Sequence, residues 1–142
     1  MPRQLAAICR WLTAVGFLII GSGQAGEAAK HPVYVGVQQC GRCHQGPQMG
    51  HQLSRGYLSK HSRAYAALAT PEAKEIARLS GIPILPQESA HCLGCHATAS
   101  DAEDWEKDPT FDSTDGVQCE KCHGPGSEYM SLEVMTNRAA AL

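Results

Sequence analysis

The stretch Gln118–Met130, QCEKCHGPGSEYM, places two cysteines three positions apart, with a histidine directly after the second and Gly-Pro-Gly after that. The same pattern occurs twice earlier, as CGRCH at residues 40–44 and CLGCH at residues 92–96. Cys-x-x-Cys-His is the attachment motif for c-type haem. The two thiols become thioethers on one porphyrin edge, and the histidine that follows is the proximal ligand of the iron. Three such motifs in one chain are a strong signal for haem.

The cysteine count strengthens this interpretation, because Cys9 is the only one of seven cysteines outside the three motifs. The predicted thioether residues are Cys40, Cys43, Cys92, Cys95, Cys119 and Cys122. The predicted proximal iron ligands are His44, His96 and His123. The sequence therefore predicts three covalently bound c-type haems.

Three other uses of paired cysteines have to be weighed against haem. Three disulfides would suit an exported protein, but neighbouring Cys-x-x-Cys pairs seldom form structural cross-links. A thioredoxin-like redox site requires one such motif near a βαβ pattern, which this sequence does not show. Zinc prefers two cysteine pairs that close one tetrahedron, and it gives no reason for a histidine after every second cysteine. The spacing favours haem over each of them.

Residues 1–25 have the features of a secretory signal peptide. Arg3 and Arg10 supply positive charge, residues 11–21 form an apolar run, and small residues precede the cleavage point, with Ala28 as the alternative cleavage point. A retained membrane anchor is the competing interpretation. The apolar run has only about half of the roughly 20 residues that a spanning helix needs. We therefore expect an exported protein, periplasmic or extracellular, with no stable membrane span after cleavage.

The remainder, residues 26–142, is predicted to be a single trihaem domain. Without Arg3 and Arg10 the chain has 10 basic and 14 acidic residues, a formal charge of −4, which argues against nucleic acid as a partner. Phe111 and Trp105 are its only Phe and Trp, beside four tyrosines, so the polypeptide has little material for a core. The fold class that follows is mainly α with extensive loops, little or no sheet, wrapped around three covalently bound haems.

Local signals predict several elements. Thr70-Pro71 begins a helix that runs to Ser80 and stops at Gly81, and residues 81–86 are an extended linker. Residues 101–116 are an acidic surface loop whose charges need no role beyond solvation. A last helix is predicted to begin at Ser127 and run to the end of the chain, and Gly-Pro-Gly should end the helix that carries the third motif.

Four histidines outside the motifs and the predicted signal peptide are candidates for the sixth, distal position of the irons. His61 ranks first, because Tyr57, His61, Ala64, Tyr65 and Leu68 would share one face of a helix. His91 directly precedes Cys92, so it is a candidate ligand for a neighbouring haem rather than its own. His31 lies close to the predicted N-terminus of the domain, and His51 ranks last. For each of the four, an ordinary surface histidine is the alternative.

The sequence resembles the cytochrome c-554 family of multihaem electron carriers. The likeness rests on VGVQQCGRCH, SKHSRAYAAL, TPEAKEIARLSGI, CLGCHATA and GVQCEKCHGPGSEYM, from about Val33 to the C-terminus. The resemblance implies closely packed haem pairs, a mainly α-helical wrapper and electron transfer outside the cytoplasmic membrane. It also implies that His61, in the matching SKH segment, is a distal ligand.

Two departures from the family pattern concern the third haem and a fourth one. Family members usually carry a fourth CxxCH, whereas this sequence has three, so a trihaem variant and a truncated tetrahaem protein both stay open. The family can also place a histidine after Gly-Pro-Gly. Here no histidine follows His123, and only Met130 and Met135 could serve as ligands in its place. We interpret both as helix-packing residues, although thioether ligation would raise the reduction potential of that haem.

Three functions compete at this point. The first is an electron carrier between a redox-protein donor and acceptor. The second is an enzyme that converts a small nitrogen species at a haem without a sixth protein ligand. The third is a subunit of an extracellular cytochrome filament or another homo-oligomer. The short chain and the lack of a basic substrate cluster favour the carrier.

Overall fold

The computed structural model describes residues 31–137 and 139–140. The predicted signal peptide and Cys9 lie outside these residues. The described part has seven short α-helices: α1 Val37–Gly41, α2 Gln52–Leu58, α3 Ala64–Ala67, α4 Pro71–Leu79, α5 Ala90–His96, α6 Glu120–His123 and α7 Leu132–Thr136. Single 3-10 turns lie at Pro47–Met49, Pro86–Glu88, Asp104–Glu106, Ser113–Asp115 and Gly126–Glu128. Between residues 31 and 137 the only β pairing is an isolated bridge from Tyr34 to Lys107. The mainly α fold with extensive loops is confirmed.

The hydrophobic core of the described residues is small. Its buried apolar residues are Val35, Val37, Leu68, Ala77, Ala97 and Ala99. Half of them are alanines, which bury little area, whereas larger side chains such as Leu58 and Leu79 are 81% and 70% exposed. The polypeptide by itself therefore gains little stabilisation from burial, as its composition predicts.

Helix α4 forms where local signals place it. The hydroxyl of Thr70 accepts a hydrogen bond from the backbone N–H of Ala73 at 3.2 Å, and Pro71 occupies the first helical position. Gly81 follows the helix with φ of 71°, a conformation that glycine adopts without strain. The predicted helix and its two ends are confirmed.

The continuous helix expected around His61 is wrong. Helix α2 ends at Leu58, and Ser59 has an extended backbone with ψ of 167°. The Ser59 hydroxyl donates to the carbonyl of Gly56 at 2.6 Å, and the Ser62 hydroxyl donates to that of Tyr57 at 2.9 Å. Because these hydroxyls satisfy the last carbonyls of α2, the chain leaves the helix there. His61 therefore lies in a turn between α2 and α3.

The C-terminal region also differs from the prediction. Residues Gly126–Glu128 form a 3-10 turn, and α7 begins only at Leu132. The hydroxyl of Ser131 caps this helix by accepting from the N–H of Val134 at 3.3 Å. The real N-cap is thus Ser131 and not Ser127.

The acidic loop at residues 101–116 contains no α-helix, as predicted, but its charges do more than interact with solvent. The Asp112 carboxylate accepts from both the hydroxyl and the N–H of Thr114, and these bonds hold the pKa of Asp112 below its ordinary value. Asp108 makes the same pair of contacts with Thr110. The two carboxylates therefore shape the turns of this loop.

Candidate haem-binding site

Each of the three Cys-x-x-Cys-His motifs forms a helical turn. In the first and third motifs the histidine N–H bonds to the carbonyl of the first cysteine at 3.0 Å, from His44 to Cys40 and from His123 to Cys119. The second motif lies entirely within α5. Because positions i, i+3 and i+4 lie on one side of a helical turn, each motif directs two sulfurs and one imidazole to the same side. This is the arrangement that two thioethers and one iron bond require.

The third motif opens into a cavity of about 230 Å³. Cys119, Cys122 and His123 line this cavity together with Tyr57 and His61. Helix α6 ends directly after His123, because Gly124 has φ of 79°, as the Gly-Pro-Gly sequence predicts.

Backbone contacts hold His61 at this cavity. The carbonyl of His61 accepts from the N–H of Val117 at 3.0 Å. Gly116, beside Val117, has φ of 75°, and a Cβ at that position would lie 2.6 Å from the carbonyl oxygen of His61. Only glycine permits this close approach, so the SKH turn and the third motif are packed backbone to backbone.

The second motif opens into a separate cavity of about 410 Å³. Its lining includes Cys92, Cys95 and His96 together with apolar side chains of α4 and its neighbours, among them Leu68, Ile76, Ala77 and Ile82. Nδ1 of His96 lies 2.7 Å from the carbonyl oxygen of Ala64. Since a carbonyl can only accept, Nδ1 carries the proton and Nε2 keeps its lone pair for a metal.

The other histidines occupy different surroundings. His91 lines the cavity of its own motif. The ring of His31 packs edge-on against Trp105, with centroids 5.2 Å apart. His51 is exposed, with a left-handed backbone at the start of α2, φ 55°. None of these contacts tests iron ligation, so the distal roles of His61, His91 and His31 stay predictions, as do the proximal ones.

The first and third motifs lie side by side. The thiols of Cys40 and Cys119 are neighbours; the Cys119 thiol and burial raise the pKa of Cys40, and the Cys40 thiol lowers that of Cys119 to about 6. These pKa values belong to the free thiols and disappear once both sulfurs are thioethers. What persists is the adjacency of the two motifs, which lie at opposite ends of the described chain.

The family model for cytochrome c554 and c-prime matches residues 39–124, a span that contains all three motifs. The chain belongs to the cytochrome c554 family. A cytochrome of this family carries covalently bound c-type haem and transfers electrons through its iron. No curated protein and no solved structure gives a match.

The residues of this cytochrome fit the haem that its family implies. Each motif supplies two sulfurs and one imidazole, and the cavities of the second and third motifs are lined by these same residues. In the described part of the chain all six motif cysteines are unpaired, and no three His, Cys, Asp or Glu side chains converge as a zinc site requires. Across residues 31–137, no helix is both long and apolar enough to span a bilayer.

Sequence reasoning missed the residues that join the motifs of this cytochrome. Glu120, between the two cysteines of the third motif, is 2% exposed and accepts three backbone N–H bonds. Gln118, directly before the motif, accepts from the N–H of Val37 at 2.8 Å. The available signal was a carboxylate between the two cysteines of a predicted haem-attachment motif.

Proposed function

We propose that this cytochrome is an exported trihaem electron carrier, with one haem on each of the three motifs. The observation that carries the proposal is the shared helical turn, in which all three motifs direct two sulfurs and one imidazole to one side. A protein with a single functional haem would have no need of three such turns. The small core supports the proposal as well, because cofactors would supply the apolar interior that the side chains do not.

His61 is the proposed distal ligand of the third haem. It lies in the cavity that Cys119, Cys122 and His123 line, and the close approach of Gly116 holds its backbone there. His91 and His31 are the proposed ligands of the remaining irons. A distal histidine on every iron would leave no open position for a substrate, which is why we favour the carrier over the enzyme.

The proposed donor and acceptor are redox proteins, and one of them should have an acidic surface. Residues 31–71 contain no Asp or Glu. They carry four exposed basic residues: Arg42, Arg55, Lys60 and Arg63. The ion pairs within the described residues, Arg78 with Glu75 and Lys107 with Asp104, involve none of these four. Residues 56–62, which Arg55 and Arg63 flank, also border the third-motif cavity, so this basic segment lies beside a proposed haem.

A haem count tests the proposal directly. The protein is expressed from its full gene in a host that matures c-type cytochromes, and the purified product is analysed by pyridine haemochrome and intact mass. We expect three haems per chain, a mature N-terminus near residue 26 and low-spin EPR signals only. Two or fewer haems on a fully matured chain would refute the trihaem carrier, and a high-spin signal that shifts with nitrite or hydroxylamine would favour the enzyme.

A further inference from the structure

We propose that Glu120 is a positioning residue that holds the first haem-attachment motif against the third. The inference rests on the proposed function in one respect, namely that both motifs carry haem. Electron transfer between two haems slows steeply as the separation of their edges grows. A residue that sets this separation therefore acts on the electron-transfer rate without touching either iron.

The carboxylate of Glu120 connects two distant segments of the chain. Its Oε1 accepts from the N–H of Val35 at 2.8 Å and from that of Gly126 at 2.7 Å, and its Oε2 accepts from the N–H of Gly36 at 2.7 Å. Val35 and Gly36 lead directly into α1, which carries Cys40. The side chain of one residue thus binds the backbone that begins the first motif while its own backbone lies inside the third.

Neighbouring contacts extend this joint, the contact of residues 33–37 with residues 118–127, along both segments. Val33 exchanges two hydrogen bonds with Ser127, and the N–H of Val37 donates to Gln118. Glu120 lies in the middle of this joint, and it is the only residue of the described chain whose side chain binds three backbone N–H groups. Buried donors without a partner are costly, so the joint depends on this carboxylate more than on any peripheral bond.

Gly36 and Gly126 allow the backbone to approach closely around the Glu120 carboxylate. A Cβ on Gly126 would lie 2.6 Å from Cγ2 of Val35 and 3.0 Å from Oε1 of Glu120. Gly36 has φ of 88°, and a Cβ there would lie 3.0 Å from the carbonyl oxygen of Thr110. A side chain at Gly126 would push the two segments apart, and one at Gly36 would push its segment away from Thr110, so the backbone around Glu120 requires both glycines.

Lys121, the other residue between the cysteines of the third motif, provides a contrast. Its ammonium donates to the carbonyl of Gly94 in the second motif at 3.0 Å, but the side chain is exposed. A single exposed bond of this kind contributes little. Of the two residues between these cysteines, only Glu120 should therefore determine how two motifs are spaced.

The test compares Glu120→Gln with two controls in the holoprotein. Glu128→Gln removes an equal charge from an exposed residue of the next turn, and Lys121→Gln changes the neighbouring position of the same motif. The measurements are the haem count, the exciton couplet of the Soret circular dichroism, which reports the distance and angle between coupled haems, and a redox titration. Gln keeps the shape of Glu but places an NH₂ group against backbone donors.

We expect Glu120→Gln to retain three haems, lose couplet amplitude and shift the reduction potential of at least one haem upward, because a buried negative charge is removed. Both controls should match the wild type. A Glu120→Gln couplet and titration equal to those of Glu128→Gln would overturn the proposal. A wild-type haem count below three would instead refute the proposed function, so the two failures are distinguishable.

A second variant covers the case in which Glu120→Gln does not accumulate as holoprotein. Gly126→Ala places a methyl group against Val35, which should separate the same two segments while the charge of Glu120 stays in place. It should reduce the couplet without the upward shift in potential that loss of the charge produces. An unchanged couplet in Gly126→Ala would overturn the positioning role.

Discussion

The carboxylate of Glu120 accepts the backbone N–H of Gly36 at 2.7 Å across 84 residues of sequence. The bond joins the segment before the first haem motif to the interior of the third. It explains how Cys40 and Cys119 come to be neighbours, although the second motif lies between them in the sequence. The spatial neighbours of a motif in this cytochrome therefore differ from its neighbours along the chain.

Gly116→Ala should displace His61. The added methyl would meet the His61 carbonyl at 2.6 Å, and the left-handed backbone disfavours any side chain there. Overpacking of this kind typically costs about 1–3 kcal/mol. We expect a high-spin component from one haem in the EPR spectrum.

The matched control for this change is Gly46→Ala, because a Cβ at Gly46 has no atom within 4 Å. It should leave the spectrum low-spin. An entirely low-spin Gly116→Ala protein would contradict the assignment of His61 as a distal ligand.

Removal of the predicted attachment cysteines should destabilise the fold, and more so as more haems are lost. Cys119→Ala with Cys122→Ala should lower the haem count by one and make the chain sensitive to limited proteolysis, since the apolar core of the described residues contains only six side chains. Cys9→Ala is the control and should change neither measurement, because Cys9 lies outside the motifs. A compact, protease-resistant protein after loss of all six motif cysteines would show that haem is not needed for the fold.

The helix at residues 71–79 could be predicted from the sequence, because its cap, its first-turn proline and its terminal glycine are all local signals. The haem motifs could be predicted for the same reason, since cysteines and histidine within five residues define a single helical turn. The break at Ser59 could not, because apolar spacing alone does not show that serine hydroxyls will take the carbonyls of Gly56 and Tyr57.

The pairing of the first motif with the third was also beyond sequence reasoning. It depends on hydrogen bonds from backbone N–H groups, and a backbone N–H is present at nearly every position. No pattern of residue types marks Val35 and Gly36 as the partners of Glu120, so the tertiary structure is needed to identify them.

Charge reversal in residues 31–71 should slow the reaction with an acidic redox partner. Arg55→Glu combined with Lys60→Glu should lower the bimolecular rate constant severalfold at low salt and weaken its dependence on ionic strength, as expected for electrostatic steering. Stopped-flow oxidation by a small acidic redox protein measures both. Lys74→Glu, an exposed change on α4, is the control. Equal rates for the double variant and the control would refute docking at this segment.

The stability of the protein should fall at alkaline pH through Tyr129. Burial, the largest cause, and the nearby Glu120 raise the pKa of Tyr129 above its ordinary value of 10.0, and its hydroxyl donates to the carbonyl of Gly124 at 3.0 Å. Because the folded pKa lies above the unfolded one, the contribution is complete below pH 10 and is lost as pH rises through the folded pKa.

Denaturant unfolding at several pH values measures this loss, and Tyr129→Phe should flatten the curve above pH 10. Tyr57, which is exposed, offers the matched control, Tyr57→Phe, whose curve should follow the wild type. An equally steep decline in Tyr129→Phe would assign the alkaline transition to another group.

The joint at Glu120 also determines when the protein can fold during its synthesis. Val35 and Gly36 are synthesised first, but their acceptor, Glu120, is made only with the third motif. Until then the segment around Cys40 has no partner for its backbone, and loop closure over the intervening residues must wait. The backbone before the first motif of a newly made chain therefore stays open until the third motif has been made, and the same bonds that complete the fold then close it.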